Sequence, residues 1–246
     1  FEKQQTFDEI VDEDGFACED LGALQQWIVS TFSELCQLPE FEIIGLNFSA
    51  YGASFVYVDR VGEPVAPLYN YLKPVTKPFP YAEYGGEDEF ARKTASPILG
   101  NLNSGLQVYE STFRSFWPEV FKAVHFPNYL ASLFTGRLFS EITSIGCHTA
   151  LWDFDLGQYH PWVATIQDRL APVSTEAYLP IDGINYGLGL HDSSAALVPY
   201  LRSISDEFVL LSTGTWCIAM HPFNVSPLSA EELAEDVLCY LQPNGK

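Results

Sequence analysis

An amphipathic helix followed at once by an apolar segment constrains the architecture of this chain. From Glu19 to Leu38, apolar residues recur at helical spacing, and Pro39 ends the pattern. The next segment, 41–49, is mostly apolar, which is the pattern of a buried strand. A helix that leads into a buried strand is the building unit of α/β proteins, so the sequence predicts an α/β fold.

The composition excludes several classes of protein. The chain has 246 residues, of which 47% are hydrophobic and 18% charged, enough for the core of one large domain or two smaller ones. Its 32 acidic and 12 basic residues give a formal net charge of -20. Nucleic acids and anionic membranes attract clustered positive charge, so neither is an expected partner.

The five cysteines and the hydropathy pattern indicate where the chain functions. The cysteines are widely spaced and form no Cys-x-x-Cys pair, which predicts buried free thiols in a reducing compartment. The sequence shows neither a stretch long enough for a membrane span nor a signal peptide. The expected location is therefore the cytoplasm.

Two short segments near the end of the chain carry the chemistry. His191 and Asp192 follow a Gly-x-Gly approach and precede a predicted helix at Ser193–Leu201, and the turn 212–215 follows an apolar strand at Phe208–Leu211. A carboxylate can accept a proton from an alcohol, and a glycine-bearing turn can hold phosphate oxygens through its N–H groups. Together they indicate phosphoryl transfer to a hydroxyl. Each segment alone also fits a helix cap or an ordinary turn, and the chain has no P-loop pattern.

Other patterns are assigned no catalytic role. The segment 85–90, Gly-Gly-Glu-Asp-Glu-Phe, is similar to the diguanylate cyclase signature but carries one extra acidic residue, so it is interpreted as a loop that enters a helix. The histidines at 125, 148, 160 and 221 show no metal-ligand spacing and are interpreted as structural. No residue is predicted to be a metal ligand.

Taken in order, four stretches resemble the FGGY family of carbohydrate kinases, and within it the rhamnulokinase- and fuculokinase-type ketose kinases. The first, at 49–59, resembles the sugar-site strand, and the second, at 127–144, resembles the family's Asp-Tyr-x-x-x-x-Leu-Thr-Gly helix and its sequel. The third is His191-Asp192, and the fourth is the turn 211–216, which resembles the second phosphate loop.

This resemblance implies roles for the residues of a sugar site. Asp192 would be the base that takes the proton from the sugar hydroxyl as the hydroxyl attacks the γ-phosphate of ATP. His191, Ser193 and Gly52 would line the sugar site, and Tyr51 would shield one face of the sugar.

The resemblance also implies the cofactors and the fold. Thr213, Gly214 and Thr215 would hold the ATP phosphates, and Mg²⁺ would bridge phosphate oxygens and offset their charge. The fold would be the actin-like ATPase (ribonuclease H-like) α/β fold, closing over the sugar to exclude water. Residues 1–203 would form the N-terminal domain, with its first strands and phosphate loop placed before Phe1, and 204–246 would start the C-terminal nucleotide-binding domain.

The sequence departs from the family pattern at the sugar site. The arginine that rhamnulokinases place after the sugar strand has no counterpart in 68–73, and Ser54 stands where they carry an acid. The leading hypothesis is an ATP-dependent kinase for a ketose of the L-rhamnulose or L-fuculose type. The alternatives are a pentulose (xylulose or ribulose) kinase and a non-catalytic sugar-binding sensor on the same fold. The expected partners are the sugar and ATP, and a homodimer is the oligomer considered.

Overall fold

The computed structural model describes residues 1–213 and 217–245, and they form a mixed α/β structure. The α-helices of this part of the chain are α1 (Leu21–Leu35), α2 (Glu87–Thr94), α3 (Ser104–Ser111), α4 (Phe126–Thr135), α5 (Ile142–Ile145), α6 (Asp192–Ser203) and α7 (Ala230–Ala234). The strands are β1 (Glu9–Val11), β2 (Ala17–Glu19), β3 (Gly45–Leu46), β4 (Ser49–Ala50), β5 (Phe55–Val58), β6 (Lys122–His125), β7 (Trp152–Asp153), β8 (Gln158–Tyr159), β9 (Tyr178–Ile181), β10 (Ile184–Gly187), β11 (Leu190–His191), β12 (Leu210–Thr213) and β13 (Cys217–Met220).

The central element is the antiparallel pair β5–β6, in which Phe55 lies opposite His125. All four residues of β5 are buried. Because side chains alternate across a strand, Phe55 and Tyr57 enter one hydrophobic cluster while Val56 and Val58 enter another. The pair is therefore covered on both faces, which explains why β5 carries an uninterrupted apolar sequence.

Each cluster is completed by helices or loops from distant parts of the chain. On the first face, aromatic rings from α2 and from the 3-10 helix 161–165 pack around Phe79, which lies 5.1 Å from Phe90 and 5.3 Å from Trp162 between ring centroids. On the second face, α1 and α4 supply Leu21, Tyr129 and Leu130. The strand pair thus lies between two apolar layers.

The predicted helix at the start of the chain is confirmed as α1. The carboxylate of Asp20 caps it by accepting a hydrogen bond from Ala23 N–H at 2.9 Å, and the helix ends before Pro39. The buried strand predicted at 41–49 is wrong. The segment holds the two-residue edge strand β3 and the first residue of β4, and Ile44, which precedes β3, is 68% exposed.

The region 103–150, whose pattern predicts helix throughout, is interrupted by β6. Its apolar residues Ala123 and Val124 are buried in a strand that pairs with β5 rather than on a helical face. Gly136 ends α4 at a φ of 63°, as the helix-end pattern predicts. The loop at 85–86 enters α2, which confirms that interpretation of the acidic segment.

Two parallel strand pairs bring the middle of the chain beside its later part. β3 pairs with β10, and β4 pairs with β11. As a result, residues 45–50 lie along residues 185–191, and α6 starts directly after β11. Phe208–Leu211, predicted to be a buried strand, instead overlaps β12, which pairs with β13 and is partly exposed.

The cysteines are free thiols, as predicted, but they are not uniformly buried. Cys18 and Cys147 are buried, whereas Cys36 and Cys217 are exposed. In the part of the chain that the structure describes, no helix combines the length and the apolar character that crossing a membrane requires.

Burial of His125 predicts a pH dependence of stability. Burial lowers the pKa of this imidazole to about 3, and the nearby His191 acts in the same direction. An unfolded histidine has a pKa of about 6.5, so below that pH the unfolded chain binds a proton that the folded chain does not. The free energy of unfolding should fall as the pH is lowered from about 6.5, by roughly 1.4 kcal/mol per pH unit from this residue.

Urea unfolding between pH 4.5 and 6 measures this slope. His125→Phe removes the titrating group and should reduce the slope by about that amount. Ser104→Ala is the matched control, because it removes the hydroxyl that lies 3.0 Å from His125 Nε2 and keeps the imidazole. Equal slopes for the natural protein and His125→Phe would contradict the prediction.

Candidate active site

The segment 187–192 is held against the strand that precedes Tyr51. In the β4–β11 pair His191 lies opposite Ala50, and Leu190 N–H donates to the Phe48 carbonyl at 2.9 Å. The parallel pairing fixes the end of β11, from which α6 starts with Asp192. The predicted sugar strand and the predicted base are therefore adjacent in space.

Asn128, at the start of α4, fixes the loop before β11. Its carboxamide nitrogen donates to the carbonyls of Leu188 at 2.8 Å and Gly189 at 3.0 Å. Gly189 has a φ of 82° and donates its own N–H to Asn47 Oδ1 at 3.0 Å. Only glycine adopts this conformation at little cost, and the loop is held from both sides.

A chain of hydrogen bonds links α5 to the backbone beside the candidate base. His191 N–H donates to Thr143 Oγ1 at 3.2 Å, and the Thr143 hydroxyl donates to the carboxylate of Glu141. Glu141 is buried, and burial raises the pKa of its carboxyl. These groups position the start of α6 without touching the surface that Asp192 presents.

The carboxylate of Asp192 is accessible, with 53% of its side chain exposed. Oδ1 accepts a hydrogen bond from Ser193 N–H at 2.7 Å and lies 3.4 Å from His191 Nε2. Such a carboxylate is fixed at one oxygen and can accept a proton from a ligand at the other.

His191 is buried behind Asp192, and Gly52 packs directly on it. A Cβ at position 52 would lie 2.5 Å from His191 Cδ2, so only glycine lets the 51–53 backbone approach this close. Burial lowers the pKa of His191, against a smaller opposing effect of the Asp192 charge, and the imidazole is neutral at pH 7. The structure thus brings Gly52, His191, Asp192 and Ser193 into one cluster.

Tyr51 contacts its neighbours on the far side of this cluster. Its ring centroid lies 5.0 Å from that of Phe126 and 5.6 Å from that of Tyr71, and its hydroxyl donates to Glu19 Oε1 at 3.2 Å. The hydroxyl and ring edges are therefore already engaged within the protein, and its role in shielding a sugar stays a prediction.

Of the predicted phosphate turn 212–215, the structure describes Ser212 and Thr213, which lie in β12. Thr213 is exposed at the end of β12, a strand that contacts α6. Gly214 and Thr215 lie outside the described residues. This arrangement leaves the strand before the turn close to the helix that carries Asp192.

Sequence reasoning missed two residues, His148 and Tyr240, whose rings pack behind His191. The His148 ring lies 5.9 Å from the His191 ring, and its Nδ1 lies 2.6 Å from the Tyr240 hydroxyl. Tyr240 is held in place because Leu241 N–H donates to the Gly146 carbonyl at 2.6 Å. Burial lowers the pKa of His148 to about 4. The Cys147-His148 dipeptide was the available sequence signal, but its partners are 43 or more residues away and no spacing rule connects them.

Comparison with solved structures identifies the fold. A carbohydrate kinase from Novosphingobium aromaticivorans is similar over 98% of this chain and 56% of its own, with a TM-score of 0.78 and 25% identity. Xylulose kinase from Lactobacillus acidophilus is similar over 79% of this chain and 44% of its own, with a TM-score of 0.66 and 15% identity. Gluconate kinase from the same organism has a TM-score of 0.62 and 14% identity over 76% of this chain and 42% of its own.

The sequence matches no family profile and no curated protein. The chain has the mixed α/β fold of sugar kinase domains in the actin-like ATPase class, as predicted. It spans about half of the length of the solved kinases that it resembles, 56% in the first case.

The fixed loop before Asp192 makes a testable prediction about two glycines. Gly189 and Gly183 have nearly the same φ, 82° and 84°. A Cβ at Gly183 meets nothing within 4 Å, whereas one at Gly189 collides with the Pro127 carbonyl and lies 2.9 Å from Asn128 N. Gly183→Ala should cost about 1 kcal/mol of unfolding free energy, and Gly189→Ala at least roughly 3 kcal/mol, because the second adds a backbone collision to the conformational strain.

Urea denaturation midpoints at constant m-value measure both effects. Equal losses of unfolding free energy in the two variants would contradict the prediction, because they would show that a Cβ at position 189 adds no cost from collision with α4.

Proposed function

We propose that this chain is part of an ATP-dependent carbohydrate kinase that phosphorylates a hydroxyl of a ketose, with Asp192 as the general base. The observation that carries the proposal is the accessible Asp192 carboxylate at the start of α6. It lies beside the loop between β4 and β5, where Gly52 packs on His191. The fold shared with carbohydrate kinases supports the same reaction class.

The cluster accounts for the steps that the protein must perform. A sugar hydroxyl placed at the outer oxygen of Asp192 can donate its proton there, which strengthens the hydroxyl oxygen as a nucleophile. Gly52, lacking a side chain, lets the 51–53 backbone pack against His191 beside the base, and Ser193 offers a hydroxyl 3.5 Å from Asp192 Oδ1. Asn128 and Thr143 hold the segment, so the carboxylate does not move when the ligand binds.

The donors present fit a magnesium-bound phosphate. Thr213 provides an exposed hydroxyl on a strand that contacts α6, the helix that carries the exposed Asp192 carboxylate. When bound, Mg-ATP supplies the phosphoryl group and the charge that offsets its transfer. In this proposal Thr213, together with Gly214 and Thr215, holds the phosphates.

We propose a ketose of the L-rhamnulose or L-fuculose type as the sugar. The segment 49–59 supports this choice, because it contains the aromatic-glycine pair Tyr51-Gly52. A pentulose is the second candidate, because xylulose kinases are among the similar structures. Both sugars carry a primary hydroxyl that Asp192 could deprotonate.

Replacing the base gives the most direct test. Asp192→Asn keeps the size and the hydrogen bond from Ser193 N–H but cannot accept the proton. We expect phosphoryl transfer to fall by about 10²–10⁴-fold with sugar binding largely retained. A coupled assay of ADP release measures the rate, and calorimetry measures sugar affinity.

Asp206→Asn is the matched control, because Asp206 is also an exposed aspartate beyond the same helix. It should leave both readouts unchanged. An Asp192→Asn protein that keeps most of its activity would show that another group takes the proton.

A panel of ketoses separates the candidate substrates from the sensor alternative. L-Rhamnulose, L-fuculose and D-xylulose are supplied with Mg-ATP, and we expect turnover of one deoxyketose above the pentulose, because a site built for particular hydroxyls rejects sugars that leave its polar groups unpaired. Tighter sugar binding in the presence of a non-hydrolysable ATP analogue is expected for a kinase. Ketose binding that is indifferent to the analogue and to Mg²⁺, without turnover, would favour a sugar sensor.

A further inference from the structure

Three potential metal-binding side chains meet behind Asp192. Cys147, His148 and His191 each place one donor atom within 4.8 Å of those of the other two. Cys147 and His191 are buried and His148 is half-buried, so the cluster lies inside the protein with one member near the surface. Residues distant in sequence contribute to it, because β11 carries His191 and the turn after α5 carries the other two.

His191 has a free donor atom in this cluster. The residue is 3% exposed, and its buried Nδ1 has no hydrogen-bond partner. Its other nitrogen, Nε2, lies 3.4 Å from Asp192 Oδ1. An unpaired polar atom at a buried site costs free energy, and a ligand that accepts its lone pair would remove that cost.

The contacts at the other ring nitrogens are compatible with the tautomers that a metal requires. When the proton of neutral His191 is on Nε2, which lies 3.4 Å from Asp192 Oδ1, the lone pair is on Nδ1. With Nδ1–H of His148 donating to the Tyr240 hydroxyl at 2.6 Å, the lone pair of His148 is on Nε2. An imidazole that binds a metal through one nitrogen and donates a hydrogen bond from the other is the usual arrangement in metalloproteins.

The donor set selects the type of ion. One thiolate sulfur and two imidazole nitrogens suit a borderline-soft divalent ion such as Zn²⁺, whereas Mg²⁺ prefers oxygen ligands. The site is therefore chemically distinct from the Asp192 carboxylate oxygen that we propose as the base.

We propose that Cys147, His148 and His191 form a binding site for Zn²⁺ or a chemically similar ion. Sγ of Cys147, Nε2 of His148 and Nδ1 of His191 are the ligands, and water completes the tetrahedron. Metal binding here does not depend on whether Asp192 acts as the base in phosphoryl transfer.

A small inward movement closes the site. Metal–ligand bonds of about 2.0–2.3 Å in a tetrahedron place donor atoms about 3.3–3.8 Å apart. The present upper limit of 4.8 Å therefore requires shifts of about 1 Å, which side-chain rotation of the half-buried His148 can supply. The Cys147 thiol, which now contacts the Ser144 carbonyl at 3.8 Å, loses its proton to solvent when the metal binds.

Cobalt is the spectroscopic probe. Co²⁺ is added to the natural, metal-free protein, and we expect a near-ultraviolet thiolate-to-cobalt band with intense visible bands of a tetrahedral site, both abolished by one equivalent of Zn²⁺. Cys147→Ser should remove the thiolate band, whereas Cys36→Ser, which changes an exposed free cysteine, should keep it. A band that survives in Cys147→Ser, or is lost in Cys36→Ser, overturns the assignment.

X-ray absorption of the zinc-loaded natural protein tests the site without any substitution. One sulfur at about 2.3 Å and two imidazole nitrogens at about 2.0–2.1 Å are expected. A shell of oxygen and nitrogen alone, or no retention of Zn²⁺ after gel filtration, overturns the proposal. His148→Gln, at the half-buried ligand, should weaken zinc retention at least 10-fold, and circular dichroism shows whether each variant is folded.

Discussion

The burial of β5 and β6 on both faces is the interaction on which the rest of the structure depends. Tyr57 and Val58 are fully buried, on opposite sides of the strand pair. At about 25 cal/mol per Å² of apolar surface, side chains of this size each contribute on the order of 1.5–3 kcal/mol when removed from water. Because helices from four parts of the chain cover the pair, those segments can adopt their positions only together.

The strand pair also determines where Asp192 lies. β6 ends at His125, and α4 begins at the next residue, so the direction of the buried strand fixes the start of the helix. Asn128, in the first turn of α4, then holds the carbonyls of Leu188 and Gly189. The buried strand β6, the helix α4 and the hydrogen bonds of Asn128 therefore connect the core to the backbone that precedes Asp192.

Much of the local structure could be predicted from sequence, because local spacing determines it. The helical spacing after Asp20, the glycine at 136 and the capping box at Ser229 each correspond to an element of the structure. The apolar segment at 41–49 could not be assigned correctly, because its burial depends on the neighbouring strands and β3 lies at a sheet edge. β6 was hidden for the same reason, since its two apolar residues, Ala123 and Val124, fit either a helix or a buried strand.

The candidate site shows the same division between local and distant information. The pair His191-Asp192 could be recognised in the sequence because its two residues are adjacent. The parallel pairing of β11 with β4 then places Gly52 against His191. The Cys147-His148 dipeptide does not point to His191 or Tyr240, because only the tertiary fold brings these residues together. The result is a hard oxygen donor at the surface with soft donors directly behind it. The exposed carboxylate can meet a sugar hydroxyl, as the proposed base must, whereas the sulfur and imidazole donors enclosed behind it suit the proposed Zn²⁺-type ion.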